Sequence, residues 1–132
     1  MVAFVSDRHS TRYYKWDRNT YHATFLFSAK PELDAVRPAP MKPVTFRARD
    51  GMTIHAYLTL PVGVEAKNLP LVEYVHGGPW WHWSLCLDSY AQLFANRGYA
   101  VLEVNSRGST GYGKKYLRAG DRQWGRARSK TT

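Results

Sequence analysis

Residues 69–78, LPLVEYVHGG, decide the fold, and the run continues as PWWHW to residue 83. Apart from Pro70 and Glu73, Leu69 to Val75 is apolar, as expected of a central strand covered on both faces of a sheet. The strand ends in His76 and two glycines, residues with no side chain to bury. Residues 88–97, DSYAQLFANR, then open with Asp88 or Ser89 as a candidate N-cap and stop at Gly98. Their spacing predicts a helix with Tyr90, Leu93, Phe94 and Arg97 on one face. YAVLEVN at 99–105 is the next strand, so strand, helix and strand should form a parallel, right-handed unit.

Upstream, VTFRAR and MTIHAYLTL flank Asp50-Gly51, which predicts a hairpin closed by a two-residue turn. Residues 11–27, TRYYKWDRNTYHATFLF, carry two aromatic and β-branched runs around Asp17-Arg18-Asn19 and read as another hairpin. Between the hairpins, residues 28–43 hold four prolines and little periodicity, as in an extended linker at a domain boundary.

Composition narrows the classes. With 44% hydrophobic and 14% aromatic residues, the 132-residue chain belongs with globular proteins rather than disordered tails. The net charge of +9 gathers near the end, with seven basic residues and one acid between Lys114 and Lys130. Such a run reads as a solvated terminal feature. Cys86 is the sole cysteine, so no intrachain disulfide and no multi-cysteine zinc site can form. His76 and His82 lack a third ligand at metal-binding spacing, so no metal is expected. No stretch approaches the roughly 20 apolar residues of a membrane span. The first residues also lack a signal peptide's apolar core, so the compartment expected from this chain is cytoplasmic and no membrane partner is expected.

The glycines admit two readings. His76-Gly77-Gly78-Pro79 lies at the carboxyl end of a strand, where open α/β sheets bind ligands. Without Cβ atoms, Gly77 and Gly78 let a substrate carbonyl approach backbone N–H groups that would hold an oxyanion. Taken alone, the same residues serve a tight turn equally well. The loop Asn105-Ser106-Arg107-Gly108-Ser109-Thr110-Gly111-Tyr112-Gly113, after the next strand, should meet them over one crevice and favours the oxyanion reading.

These motifs, HGGPW, ANRGYAVLEVNSRGSTGYG and AGDRQWG, resemble the first half of the catalytic domain of the prolyl oligopeptidase family, of the bacterial dipeptidyl aminopeptidase and acylaminoacyl peptidase type. APMKPVTFRARDGMTIHAYLTLP is similar to that family's passage from β-propeller to α/β-hydrolase domain, and residues 11–35 are similar to the propeller's last strands. The resemblance implies an α/β fold: a partial α/β-hydrolase with a mixed, mostly parallel sheet and flanking helices, preceded by a propeller hairpin. The implied divisions are 1–39 for propeller end and linker, 40–125 for the first part of the peptidase domain, and 126–132 for a basic tail outside the family pattern.

The resemblance also implies roles. Gly77 and Gly78 would supply oxyanion-hole backbone, with His76 in support or in substrate contact. Trp80, Trp81, Arg107 and Tyr112 form the substrate-binding set. The tryptophans would line a pocket or pack the loop, and Arg107 would brace its loop or touch substrate. No cofactor is implied, and the partner is a peptide substrate of the complete enzyme.

One family element is missing. A serine nucleophile sits on a G-x-S-x-G elbow, followed by an acid and a histidine. No such string occurs, and Gly108-Ser109-Thr110-Gly111 has the wrong spacing, so nucleophile, acid and base have no candidates here. Asp50 lies in a hairpin turn and is not the acid, and Cys86 lacks a base and is expected as a small buried side chain. The expectation is a serine-peptidase fragment, truncated or frame-shifted before its nucleophile, inactive alone and prone to association through exposed sheet edges. The alternative class is a nucleic-acid-binding module using Lys114, Lys115, Arg118, Arg122 and Arg126 with exposed aromatics.

Overall fold

The computed structural model describes residues 1–78 and 80–123. The expected basic tail at 126–132, Arg126 and the boundary at 125 lie outside the described residues.

Two sheets form. In the first, β1 (Val2–Phe4), β2 (Arg12–Asp17) and β3 (His22–Ser28) are antiparallel in that order. The β2–β3 turn is tied by the Asp17 carboxylate, which accepts from the backbone N–H groups of Asn19 and Thr20. The added strand β1 had no signal in the sequence beyond three apolar residues. A short 3₁₀ turn at Pro31–Leu33 interrupts the proline-rich connection.

The second sheet has the order β4-β5-β7-β6, with β4 (Met41–Arg47), β5 (Thr53–Thr59), β6 (Leu71–Val75) and β7 (Ala100–Asn105). Its β4–β5 and β5–β7 ladders are antiparallel and only β6–β7 is parallel. The sheet is therefore mixed, as expected, but not mostly parallel over these four strands. A hairpin connection can only return antiparallel, and it is the α1 crossover alone that permits a parallel pair. Pro43 falls within β4, an edge strand among the described residues, where a missing N–H is tolerated.

Two further expectations change. Among the described residues β6 is not central: β7 inserts between β5 and β6, leaving β6 at the edge with Leu71 58% and Val75 49% exposed. The strands paired on both sides are β5 and β7, and β7 has the more completely buried side chains. The Asp-Gly turn is longer than two residues. Ala48 and Met52 close the ladder around Arg49, Asp50 and Gly51, with Gly51 at φ 82°. This is the three-residue hairpin in which glycine takes the left-handed position.

Helix α1 (Ser89–Ala95) is capped by Asp88, whose Oδ1 accepts from the Ala91 N–H at 2.8 Å. It buries Ala91 and Ala95, not the predicted Tyr90 and Leu93 stripe. Small residues let the helix lie close on β5 and β7, while Tyr90 and Leu93 are exposed. On the core, Ala48, Ile54, Ala56 and Val104 pack with Tyr116 of α2 (Lys114–Arg118). The linker is fastened to α1 by Gln92, whose side-chain amide exchanges two 2.8 Å hydrogen bonds with the backbone of Ala39.

Candidate functional site

The loops leaving β6 and β7 are laced together. Asn105, at the end of β7, clasps the Trp83 backbone: its Oδ1 accepts from the Trp83 N–H at 2.7 Å and its Nδ2 donates to the Trp83 carbonyl at 3.0 Å. The Thr110 N–H donates to the Trp81 carbonyl at 3.1 Å, and the Thr110 hydroxyl meets His82 Nδ1 at 2.8 Å. His76 Nε2 lies 2.8 Å from the Ser109 hydroxyl, with both residues buried.

This lacing carries Gly77 and Gly78, which are exposed just beyond the end of β6. Among the described residues, neither glycine N–H donates to a protein acceptor. Gly78 sits at φ 129°, and a Cβ there would lie 3.0 Å from the Trp80 nitrogen. Glycine is needed at this position for its backbone angle as well as for space. The ring of His76 is turned by its neighbour, with Nδ1 2.7 Å from the Gly77 carbonyl. That carbonyl can only accept, so in the neutral ring the proton sits on Nδ1.

The tryptophans divide. Trp83 is buried, its indole N–H donating to the Tyr74 carbonyl at 3.2 Å. Trp81 is half exposed and lies edge-on to both His76 and Trp83, at centroid distances of 5.5 and 5.0 Å. Trp80 is the most exposed of the three. Thus Gly77, Gly78, Trp80 and Trp81 are exposed on one loop, while His76 is buried against Ser109.

Arg107 and Tyr112 turn elsewhere. The Arg107 guanidinium forks onto the Asp50 carboxylate of the β4–β5 loop. The hydrogen bonds from Arg107 hold the Asp50 carboxyl down to about 2. The Tyr112 ring stacks on His55 at 4.3 Å, and its hydroxyl accepts from Asn105 Nδ2 at 2.8 Å. The contacts of both side chains are thus with scaffold groups.

Ser109, Thr110, Asn105 and Asp50 have structural roles that reading by motif missed. A polar residue closing a buried strand was the available signal for Asn105. Nothing local marks Asp50 as the partner of Arg107. Cys86 is part-buried, and burial, followed by the carboxylates of Glu103 and Asp88, pushes its thiol up. It is therefore held as a thiol, the opposite of an activated nucleophile. Among the described residues, no group of three His, Cys, Asp or Glu side chains could hold a metal ion.

Comparison with known proteins places this geometry. Residues 85–130 match the model of the prolyl oligopeptidase family. Dipeptidyl aminopeptidase BIII of Pseudoxanthomonas mexicana is 44% identical over 131 residues, covering 94% of this chain and 19% of the relative. Dipeptidyl peptidase family member 6 of Caenorhabditis elegans is 34% identical over 135 residues, covering 86% of this chain and 18% of the relative. A Mycobacterium tuberculosis puromycin-hydrolyzing peptidase superposes with a TM-score of 0.82 at 30% identity, over 98% of this chain and 20% of that structure. The chain spans about a fifth of the length of these relatives. The nucleic-acid alternative gains no support from them. The chain belongs to the prolyl oligopeptidase family of serine peptidases.

Proposed function

We propose that this chain forms the oxyanion-binding portion of a serine peptidase that cleaves peptide bonds through an acyl-enzyme. Gly77 and Gly78 present the backbone donors, His76 steadies the loop, and Trp80 and Trp81 offer apolar surface to the substrate. The observation that carries this reading is the pair of exposed glycines whose N–H groups have no protein acceptor among the described residues, on a loop laced to its neighbour. Preorganised donors at a developing oxyanion are a large contribution to catalysis, and they work only if the loop does not have to rearrange. The dipeptidyl names of the 44% and 34% identical relatives make release of dipeptides the favoured substrate class.

In the same reading, residues 1–39 close a β-propeller and residues 40–125 begin the α/β-hydrolase domain. The separate antiparallel sheet β1–β3 supports the first assignment and the β4-β5-β7-β6 order the second. Arg107 and Tyr112 act as loop supports. The chain contains no G-x-S-x-G string and hydrolyses no peptide by itself. The exposed edge of β6 is then where further chain, or another copy, pairs.

Segment exchange tests this. Residues 40–123 should replace the corresponding segment of the Pseudoxanthomonas mexicana relative with dipeptidyl-aminocoumarin turnover retained. Gly78→Ala in that hybrid should reduce kcat by about 100-fold or more with little change in KM, as expected when an oxyanion donor is misplaced. A folded hybrid whose kcat ignores Gly78→Ala would refute the oxyanion role. Turnover by the 132-residue chain alone would refute its inactivity.

A further inference from the structure

Glu103 stands in the middle of β7 with 0% of its surface exposed. It is the cross-strand partner of Tyr57 on β5 and Tyr74 on β6, so the three side chains form one row across the sheet. Neither of its carboxylate oxygens has a hydrogen-bond partner among the described residues, and the buried hydroxyl oxygen of Thr59, on the same face, lacks one too. A carboxylate in such a place is tolerated only when a cation or several donors face it.

No cation does. The titratable groups within electrostatic reach of Glu103 are Asp88 from the α1 cap, Cys86 from the connecting loop and Tyr74 from β6, with Tyr57 beside it on β5. All four are acids. Asp88 is already committed, because its carboxylate caps α1 through the Ala91 N–H. A charge on Glu103 would be buried, unpaired and set against the charge that holds the helix start.

We propose that Glu103 is a proton-controlled latch on the 83–88 segment and α1. With its proton, the neutral acid lets this segment close over β5, β7 and β6. When the proton leaves to solvent, repulsion from Asp88 and the demand of the new carboxylate for water pull the cap and the segment away from the sheet. The movement reaches the glycine loop through Trp83, whose ring packs on Tyr74 at 4.7 Å and whose backbone Asn105 clasps. Burial pushes the Glu103 carboxyl up to about 7, so the latch operates in the neutral range.

Carboxyl ¹³C titration of the unmodified chain reads Glu103 directly, and the Ala91 amide resonance reads the cap. Glu103 should titrate near neutrality, and the Ala91 amide should shift with the same midpoint. In Glu103→Gln the Ala91 amide should lose that step. Amide protection in α1 above pH 7 should be several-fold greater in Glu103→Gln than in the unmodified chain. Ionisation of Glu103 in the ordinary carboxylate range would overturn the proposal without need of the variant. So would an Ala91 titration identical in both proteins.

Discussion

Arg107 and Asp50, 57 residues apart, meet in a two-pronged ion pair, with Nη1 2.6 Å from Oδ2 and Nη2 3.1 Å from Oδ1. The arginine side chain is 9% exposed and the aspartate 53%, so the pair lies at the rim of the core. It fastens the loop after β7 to the β4–β5 hairpin. The Asp50 carboxyl is held at about 2 against an ordinary 3.8, so its contribution to stability is complete above the ordinary value. That contribution is lost as pH falls from about 4 through 2. Asp50→Asn should therefore lower the melting temperature at pH 7, and the gap to the unmodified chain should close between pH 4 and 2. Thermal melts at pH 7, 4 and 2 check this; two curves separated by a constant interval would contradict it.

Gly120 touches the same loop from α2's far side. A Cβ at this position would lie 2.8 Å from the Gly108 Cα and 3.1 Å from the Arg107 carbonyl oxygen, both backbone atoms. Neither can swing aside as a flexible side chain could. Gly120→Ala should cost about 1–3 kcal/mol, the usual penalty of overpacking. Gly77→Ala, with nothing within 4 Å of its Cβ position, should leave the urea midpoint unchanged and serves as the control. Equal midpoints for the two variants would show that the 107–120 contact yields freely.

Local pattern carried the element types but not their neighbours. The Asp88 cap, the stop at Gly98 and the strand at residues 100–105 follow from capping chemistry and apolar runs, which act over a few residues. Whether Leu71–Val75 is central or marginal depends on which strand inserts beside it, a long-range choice that no window of sequence contains. The burial of Ala91 and Ala95 instead of Tyr90 and Leu93 has the same origin. Periodicity gives a helix two usable faces here, and only the sheet beneath decides between them. The glycines and tryptophans of the loop after β6 stand out in the sequence because their composition is unusual. Ser109 and Thr110 do not, since their partners His76 and His82 lie 33 and 28 residues away.

Asn105 ties the end of β7 to the loop that follows β6. Its amide satisfies both the N–H and the carbonyl of buried Trp83 and also donates to the Tyr112 hydroxyl. Asn105→Ala removes all three bonds at once, and each buried group left unpaired costs about 1–3 kcal/mol. Asn105→Asp keeps the acceptor for the Trp83 N–H but loses both donations, and it adds a carboxylate to a buried site. Both variants should unfold at lower urea, with Trp83 fluorescence shifting toward that of exposed indole before the global transition. A single coincident transition at the unmodified midpoint would mean that the clasp is dispensable.

The pairing of His76 with Ser109 makes a prediction about a proton. The Gly77 carbonyl, 2.7 Å from Nδ1, holds the neutral ring in the Nδ1–H form, leaving Nε2 to face the serine hydroxyl at 2.8 Å. That hydroxyl also lies 2.6 Å from the Ser106 carbonyl, so it rotates between two acceptors. The ring ¹⁵N spectrum of the unmodified chain should show the less common Nδ1–H tautomer for His76. Ser109→Ala should move the Nε2 resonance while the Nδ1–H signal persists. Ser109 is fully buried, so this serine, despite its histidine neighbour, should remain unlabelled by a fluorophosphonate probe in the folded chain. Labelling at Ser109, or an Nε2–H tautomer at His76, would show that the two loops meet differently from the geometry described.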